Sequence, residues 1–148
     1  MKANKIFILL ALAASCAMVS CTLETSDNGD LDGYWHLEGA DTLPEGGHAD
    51  LSEERLFWSF QNKLLQFTDY KENGNGHFIS RFEKSRDSLI LSNFYHYDRE
   101  HGDSLIKTPD YVRPYGVNQI PEQFHIEKLK GDKMIIKSKR LRLSLKKF

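Results

Sequence analysis

From Asp32 to the C-terminus, apolar residues recur at every second position, the period of a strand with one buried face. Leu56, Trp58 and Phe60 alternate with Phe57, Ser59 and Gln61, and after Asn62-Lys63 the pair Leu65 and Phe67 alternates with Leu64, Gln66 and Thr68. Phe78, Ser80 and Phe82 share a face opposite His77, Ile79 and Arg81, and a short run follows from Ser88 to Ser92. Further on, Phe124, Ile126 and Lys128 alternate with His125, Glu127 and Leu129, and Lys133 to Ser138 follows. In the last segment Leu141, Leu143 and Leu145 face one way, with Arg140, Arg142, Ser144 and Lys146 opposite. Turn residues separate these runs at Lys71–Gly76, Ser85-Arg86-Asp87 and Gly131-Asp132. With Tyr34–Glu38, and one strand inside a longer excursion, about eight strands are expected, in an antiparallel sandwich or an up-and-down barrel.

Two connections break the pattern. Ala40–Leu51 carries Pro44, Gly46 and Gly47, with a turn of helix expected around Leu51–Glu54. The larger one, Asn93–Gln123, holds five aromatic residues and three prolines with no period. An irregular stretch of that length in a small domain is usually functional, a lid or partly disordered. Thr22–Leu31 is polar and acidic and too poor in apolar area to offset the entropy of ordering, so residues 21–31 are expected to form a flexible tether.

The N-terminus bears on compartment. Lys2 and Lys5 precede an apolar run from Ile6 to Val19, shorter than the ~20 residues a spanning helix needs, so residues 1–20 are expected to be a secretory signal. The run ends in Met18-Val19-Ser20-Cys21, which resembles the lipobox of bacterial lipoproteins. Ala13-Ala14-Ser15-Cys16 competes less well, since use of Cys16 would cut the run short. A secreted protein cut elsewhere, with Cys21 a free thiol, is the alternative. The resemblance implies lipid attachment at Cys21 and a membrane partner through that lipid. The expected location is the cell envelope, at the outer membrane and facing periplasm or surface. Two or more acyl chains hold a protein firmly, at ~0.8 kcal/mol per buried methylene. With Cys16 removed and Cys21 lipidated, no thiol would remain for a disulfide.

Length and charge narrow the function classes. Residues 32–148 fit one domain by the usual ~100–200 residues. The formal net charge of −1 gives no reason to expect nucleic acid. Charges from Glu24 to Glu54 are acidic, whereas Lys128–Lys147 is basic apart from Asp132. In a barrel the first and last strands are neighbours, so complementary pairing is the simpler account.

Gly33-Tyr34-Trp35 resembles the Gly-x-Trp of the first strand in lipocalins and other calycin-type barrels. More specifically, LDGYWHLEG, RLFWSFQNKLLQF, DSLILS, YGVNQIPEQFHIEKL and KSKRLRLSLKKF resemble segments of uncharacterised lipocalin-like lipoproteins of Gram-negative bacteria. The resemblance implies an all-β fold, an eight-stranded antiparallel up-and-down lipocalin-like barrel over residues 32–148 with one long irregular excursion. It also implies that Gly33 and Trp35 close the barrel base, with Arg140 or Arg142 from the last strand over the indole. Phe67-Thr68-Asp69-Tyr70 has the letters of a second lipocalin motif but lies too early in the chain.

No nucleophile elbow, phosphate-cradling loop or His-Glu-x-x-His is present, so no catalytic residue, cofactor or metal is assigned and an enzyme is not expected. The densest polar cluster, His96–His101, reads as a solvated loop rather than a zinc site. Aromatic content is more informative. Trp58, Tyr95, Tyr97, Tyr111, Arg113 and Tyr115 are the candidate contacts for a ligand or partner, because tyrosine pairs an apolar body with a polar tip. The same rings could instead plug one end of the barrel. Two functions compete: binding of a small apolar or amphipathic ligand, or a filled barrel docking an envelope protein through residues 93–123.

Overall fold

In a computed structural model the chain is described over residues 26–71 and 76–148. The expected signal sequence, Cys21 and residues 22–25 of the expected tether lie outside the described residues. Ten strands follow in order: β1 Gly33–Thr42, β2 His48–Asp50, β3 Leu56–Gln61, β4 Leu64–Asp69, β5 Gly76–Lys84, β6 Ser88–His96, β7 Ser104–Leu105, β8 Glu122–Lys130, β9 Lys133–Lys137 and β10 Leu141–Lys147. Eight of them, all but β2 and β7, pair antiparallel with their neighbours, and β10 returns to β1 to close an up-and-down barrel. The short β2 adds to β1 and β7 to β6.

The barrel has two unlike ends. Gly33 and the tight β3–β4, β5–β6 and β8–β9 hairpins mark the base. The residue 43–55 connection, the residue 97–121 excursion and the Ser138–Arg140 turn gather at the other end, the mouth.

Period two does most of the work. Trp35, Leu37, Trp58, Leu65, Phe67, Leu89, Leu91, Phe94, Phe124, Met134, Ile136 and Leu143 have no accessible surface. A void wide enough for water would leave accessible area on these side chains, so the interior is filled. Aromatic edges meet aromatic faces throughout: Trp58 lies 5.1 Å from Phe67 and 5.9 Å from Phe124, and Phe60 lies 5.2 Å from Phe82. Each such pair contributes about 0.5–1.5 kcal/mol beyond area burial.

Three bulges adjust the phase. An extra residue enters at Glu38 in β1, at Asn93 in β6 and at Glu127 in β8. The last one corrects the expected alternation in β8. Lys128 does not share a face with Phe124 and Ile126; it is exposed, while Leu129 turns back against the core. A bulge shifts every later side chain to the other face, and here it keeps an ammonium out of the barrel.

The expected helical turn at Leu51–Glu54 is absent. Glu54 N–H donates to the Leu51 carbonyl at 2.9 Å in a simple turn, and the chain before it forms β2. Order also begins earlier than Asp32: Gly29–Leu31 is a 3-10 turn with Leu31 fully buried, and the Asn28 amide donates to Asn62 O at 2.7 Å.

The excursion is partly built into the core. Two 3-10 turns, Pro109–Tyr111 and Arg113–Tyr115, cross the mouth, and Ile106, Val112, Tyr115 and Val117 of this segment are buried. Glu122, 2% exposed, fastens the segment's end, its carboxylate accepting the backbone N–H of Asn118 at 2.9 Å and of Gln123 at 3.2 Å.

Candidate functional site

The base is organised around Trp35, whose indole Nε1 donates to Leu31 O at 2.8 Å. The cation over its ring is Lys147, with Nζ 5.0 Å from the ring centre and donating to Asp30 O at 2.8 Å. This corrects the expectation for Arg140 and Arg142. Arg140 is exposed in the turn at the mouth. Arg142 points outward, 2.6 Å from Glu127 and 3.6 Å from Asp41, and the Glu127 hydrogen bond raises its pKa. Parity is the physical reason. Leu143, Leu145 and Lys147 share one face of β10, whereas Arg142 belongs to the other. Gly33 completes the arrangement: its φ of +121° is unfavourable for a side chain, and a Cβ there would lie 3.0 Å from Lys147 Cε.

The mouth brings together some of the expected contact residues. A run of rings leads outward from the centre, from Trp58 to Phe67 at 5.1 Å and on to Tyr115 at 5.2 Å. From there Phe78 lies at 6.1 Å, and His96 and Tyr111 meet edge to face at 4.5 Å. Tyr115 is buried, as a plug would be, while Tyr111 stays 55% exposed. The other candidates lie apart. Arg113 is exposed and pairs with Asp110 at 3.2 Å. Tyr95 is half-buried, in register with Ile79 and Leu105. Tyr97 lies over a shallow outer concavity with Ser59, Gln66 and Ile79, accepting a hydrogen bond from Arg99 Nε.

Among the described residues two polar atoms inside the barrel, Trp58 Nε1 and Ser80 Oγ, have no hydrogen-bond partner. Ser80 faces the β6 bulge, where Asn93 has φ +50°. Among the described residues no three His, Cys, Asp or Glu side chains converge as a metal-binding group. Within His96–His101, Asp98 caps its own turn, accepting the backbone N–H of Glu100 at 2.9 Å and of His101 at 3.0 Å, and these bonds lower its pKa.

A second aromatic group was not read from the sequence. On the outer wall Phe57 stacks on Tyr34 at 4.8 Å and on His36 at 4.9 Å, with Tyr70 and Phe148 edge-on. Tyr34 and Tyr70 share a hydrogen bond at 2.9 Å; burial and that bond raise the Tyr34 pKa. The available signal was phase: Tyr34, His36 and Phe57 occupy the faces opposite Trp35 and Trp58.

The closed eight-stranded barrel with its capped base can be set beside known proteins. A lipocalin-like protein from Bacteroides uniformis superimposes with a TM-score of 0.61 at 16% identity, covering 81% of this chain and 100% of its own. An uncharacterized protein from Bacteroides eggerthii gives 0.59 at 15% identity, covering 79% and 98%. At such identities the likeness concerns the fold alone. No curated protein matches the chain. A family model for a lipocalin-like domain matches residues 16–148, the full length of the barrel. The filled meander, its Gly-x-Trp base and this match agree: the chain belongs to the family of lipocalin-like domains.

Proposed function

We propose that this is a lipid-anchored, non-enzymatic binding protein of the cell envelope, held at the outer membrane through Cys21, which takes a small apolar or amphipathic ligand at the mouth of the barrel. The family's barrel supports binding in general terms. The filled interior argues against a preformed central cavity and moves the site outward. One observation carries the placement: the ring series from Trp58 to Tyr111 leaves the core at the mouth and ends half open to solvent. There an apolar body would lie on Tyr111, His96 and Phe78, with the tyrosine hydroxyl and imidazole offering polar contacts. The test is native mass spectrometry of the detergent-solubilised full chain, with titration of the neutral probe N-phenyl-1-naphthylamine. Saturable probe fluorescence that falls at least tenfold in affinity in Tyr111→Ser supports the reading. No bound molecule and no saturable probe signal sinks it.

A second reading, docking of an envelope protein through residues 93–123, is favoured by the solid barrel together with Leu105, 53% exposed beside the same segment's Tyr111. Cross-linking from position 111 in intact cells separates the two. The anchor has its own test: radiolabelled palmitate incorporated by the wild type and lost in Cys21→Ser.

A further inference from the structure

The outer wall carries an electropositive concavity near the base. About 520 Å³ in volume, it is lined by Lys63, Arg81, Lys84, Ser92 and Asn93, with Glu83 the one carboxylate. Among the described residues Lys63, Arg81 and Lys84 take part in no ion pair or side-chain hydrogen bond. Three cations against one carboxylate leave local charge uncompensated, although elsewhere Lys71, Arg113 and Arg142 each find an acid within 4 Å. The Ser92 hydroxyl and Asn93 amide are likewise free to donate. Asn93 is held at φ +50° in the β6 bulge, a conformation uncommon outside glycine, and bulges re-aim side chains. Arg81 supplies a planar fork and the lysines supply point charges, the combination that recognises phosphate oxygens.

We propose that this concavity binds a phosphate-bearing anion. Its position suggests the source. Lys63 lies in the β3–β4 hairpin next to Asn62, whose carbonyl accepts the Asn28 side chain at 2.7 Å, so the chain leading back to Cys21 leaves the barrel beside the site. Asn28 lies seven positions after Cys21, a reach of at most ~25 Å. On the lipid-anchored reading, which this assignment of source alone rests on, the site faces anionic phospholipid headgroups. Free phosphate shares the chemistry.

The test follows amide shifts of the ¹⁵N-labelled full chain in dodecyl maltoside micelles. One arm adds inorganic phosphate, a second adds phosphatidylglycerol, and a third adds sodium chloride at matched ionic strength. Saturable shifts at Arg81–Lys84, Ser92 and Asn93 are expected in the first or second arm but not the third. They should weaken at least tenfold in Arg81→Gln/Lys84→Gln and persist in Lys137→Gln/Lys139→Gln, which alters the basic rim near the mouth. Saturation by phosphatidylglycerol alone identifies a headgroup site; saturation by phosphate identifies a site for the free anion. No saturable shift, or shifts reproduced by chloride, overturns the proposal. A Cys21→Ser chain that loses its lipid yet still saturates with phosphate removes the anchor and leaves the site standing.

Discussion

Lys147 reaches across Gly33 to place its ammonium 5.0 Å from the Trp35 ring centre, tying the last strand to the first at the barrel base. The same ammonium donates to Asp30 O, so one side chain holds β1, β10 and the entry turn together. A cation over an indole contributes ~0.5–1 kcal/mol when partly exposed. Lys147→Met, which keeps the stem and removes the charge, should lower stability by about that amount in urea unfolding, with Lys147→Arg close to wild type. Gly33→Ala adds backbone strain and a 3.0 Å contact and should cost about 1 kcal/mol or more. A neutral Gly33→Ala would remove the role given to that glycine.

Trp35→Ala empties a fully buried position of the base and deletes the bond to Leu31 O. The expected loss is roughly 3–5 kcal/mol in equilibrium unfolding. Trp35→Phe should cost less and should selectively raise hydrogen exchange around residues 28–32. Near-wild-type stability of Trp35→Ala would refute its part in closing the barrel.

Ser80 buries a hydroxyl with no partner among the described residues. An unsatisfied buried hydroxyl is a net penalty, so Ser80→Ala is expected to raise stability by up to about 1 kcal/mol. A loss of comparable size would mean that the hydroxyl is hydrogen-bonded in solution.

Gly116 joins the mouth segment to the wall. It has φ +89°, and a Cβ there would lie 2.6 Å from Leu143 Cδ1. Gly116→Ala should therefore cost about 1–3 kcal/mol. Adding Leu143→Val, which trims the clashing methyl, should make the double variant less unstable than the sum of the two single changes. Strict additivity would show that backbone strain alone is at work.

The Asp98 pKa is lowered chiefly by the backbone N–H groups of His101 and Glu100. A depressed carboxylate contributes stability above its unfolded pKa and loses it as pH falls through the folded value, below the ordinary range near ~3.9. Carboxyl ¹³C titration should place the Asp98 midpoint below that of an unperturbed aspartate, with exchange in residues 98–102 rising as it protonates. An ordinary midpoint would remove this turn's dependence on the charge.

Much of the architecture was legible because a strand with one buried face must alternate. The runs Leu56–Phe60, Leu65–Phe67 and Leu141–Leu145 point inward as their period requires. One misreading lies where one residue is added to one strand. Glu127 moves Lys128 outward and Leu129 inward, and no local feature of that run announces a bulge. The arginine expected over Trp35 failed on a different ground: β10 carries no bulge, and its regular alternation admits Lys147 and excludes Arg142. The mouth was harder: Tyr111 and Tyr115 are four residues apart, yet one is exposed and the other is the plug.

The sequence by itself determined that the chain is all-β, where most strands begin and turn, and which apolar set they bury, because a period of two is a local property. Only the tertiary structure decided that the barrel is solid. Trp58, Phe67 and Phe124 come from three strands, and whether their rings leave a cavity depends on packing across the barrel. Likewise, Lys63 and Arg81 become neighbours of Asn93 only through pairing of β4, β5 and β6. Contacts between strands distant in sequence fix what the barrel encloses and what its wall presents, and the spacing of residues along one strand carries no record of them.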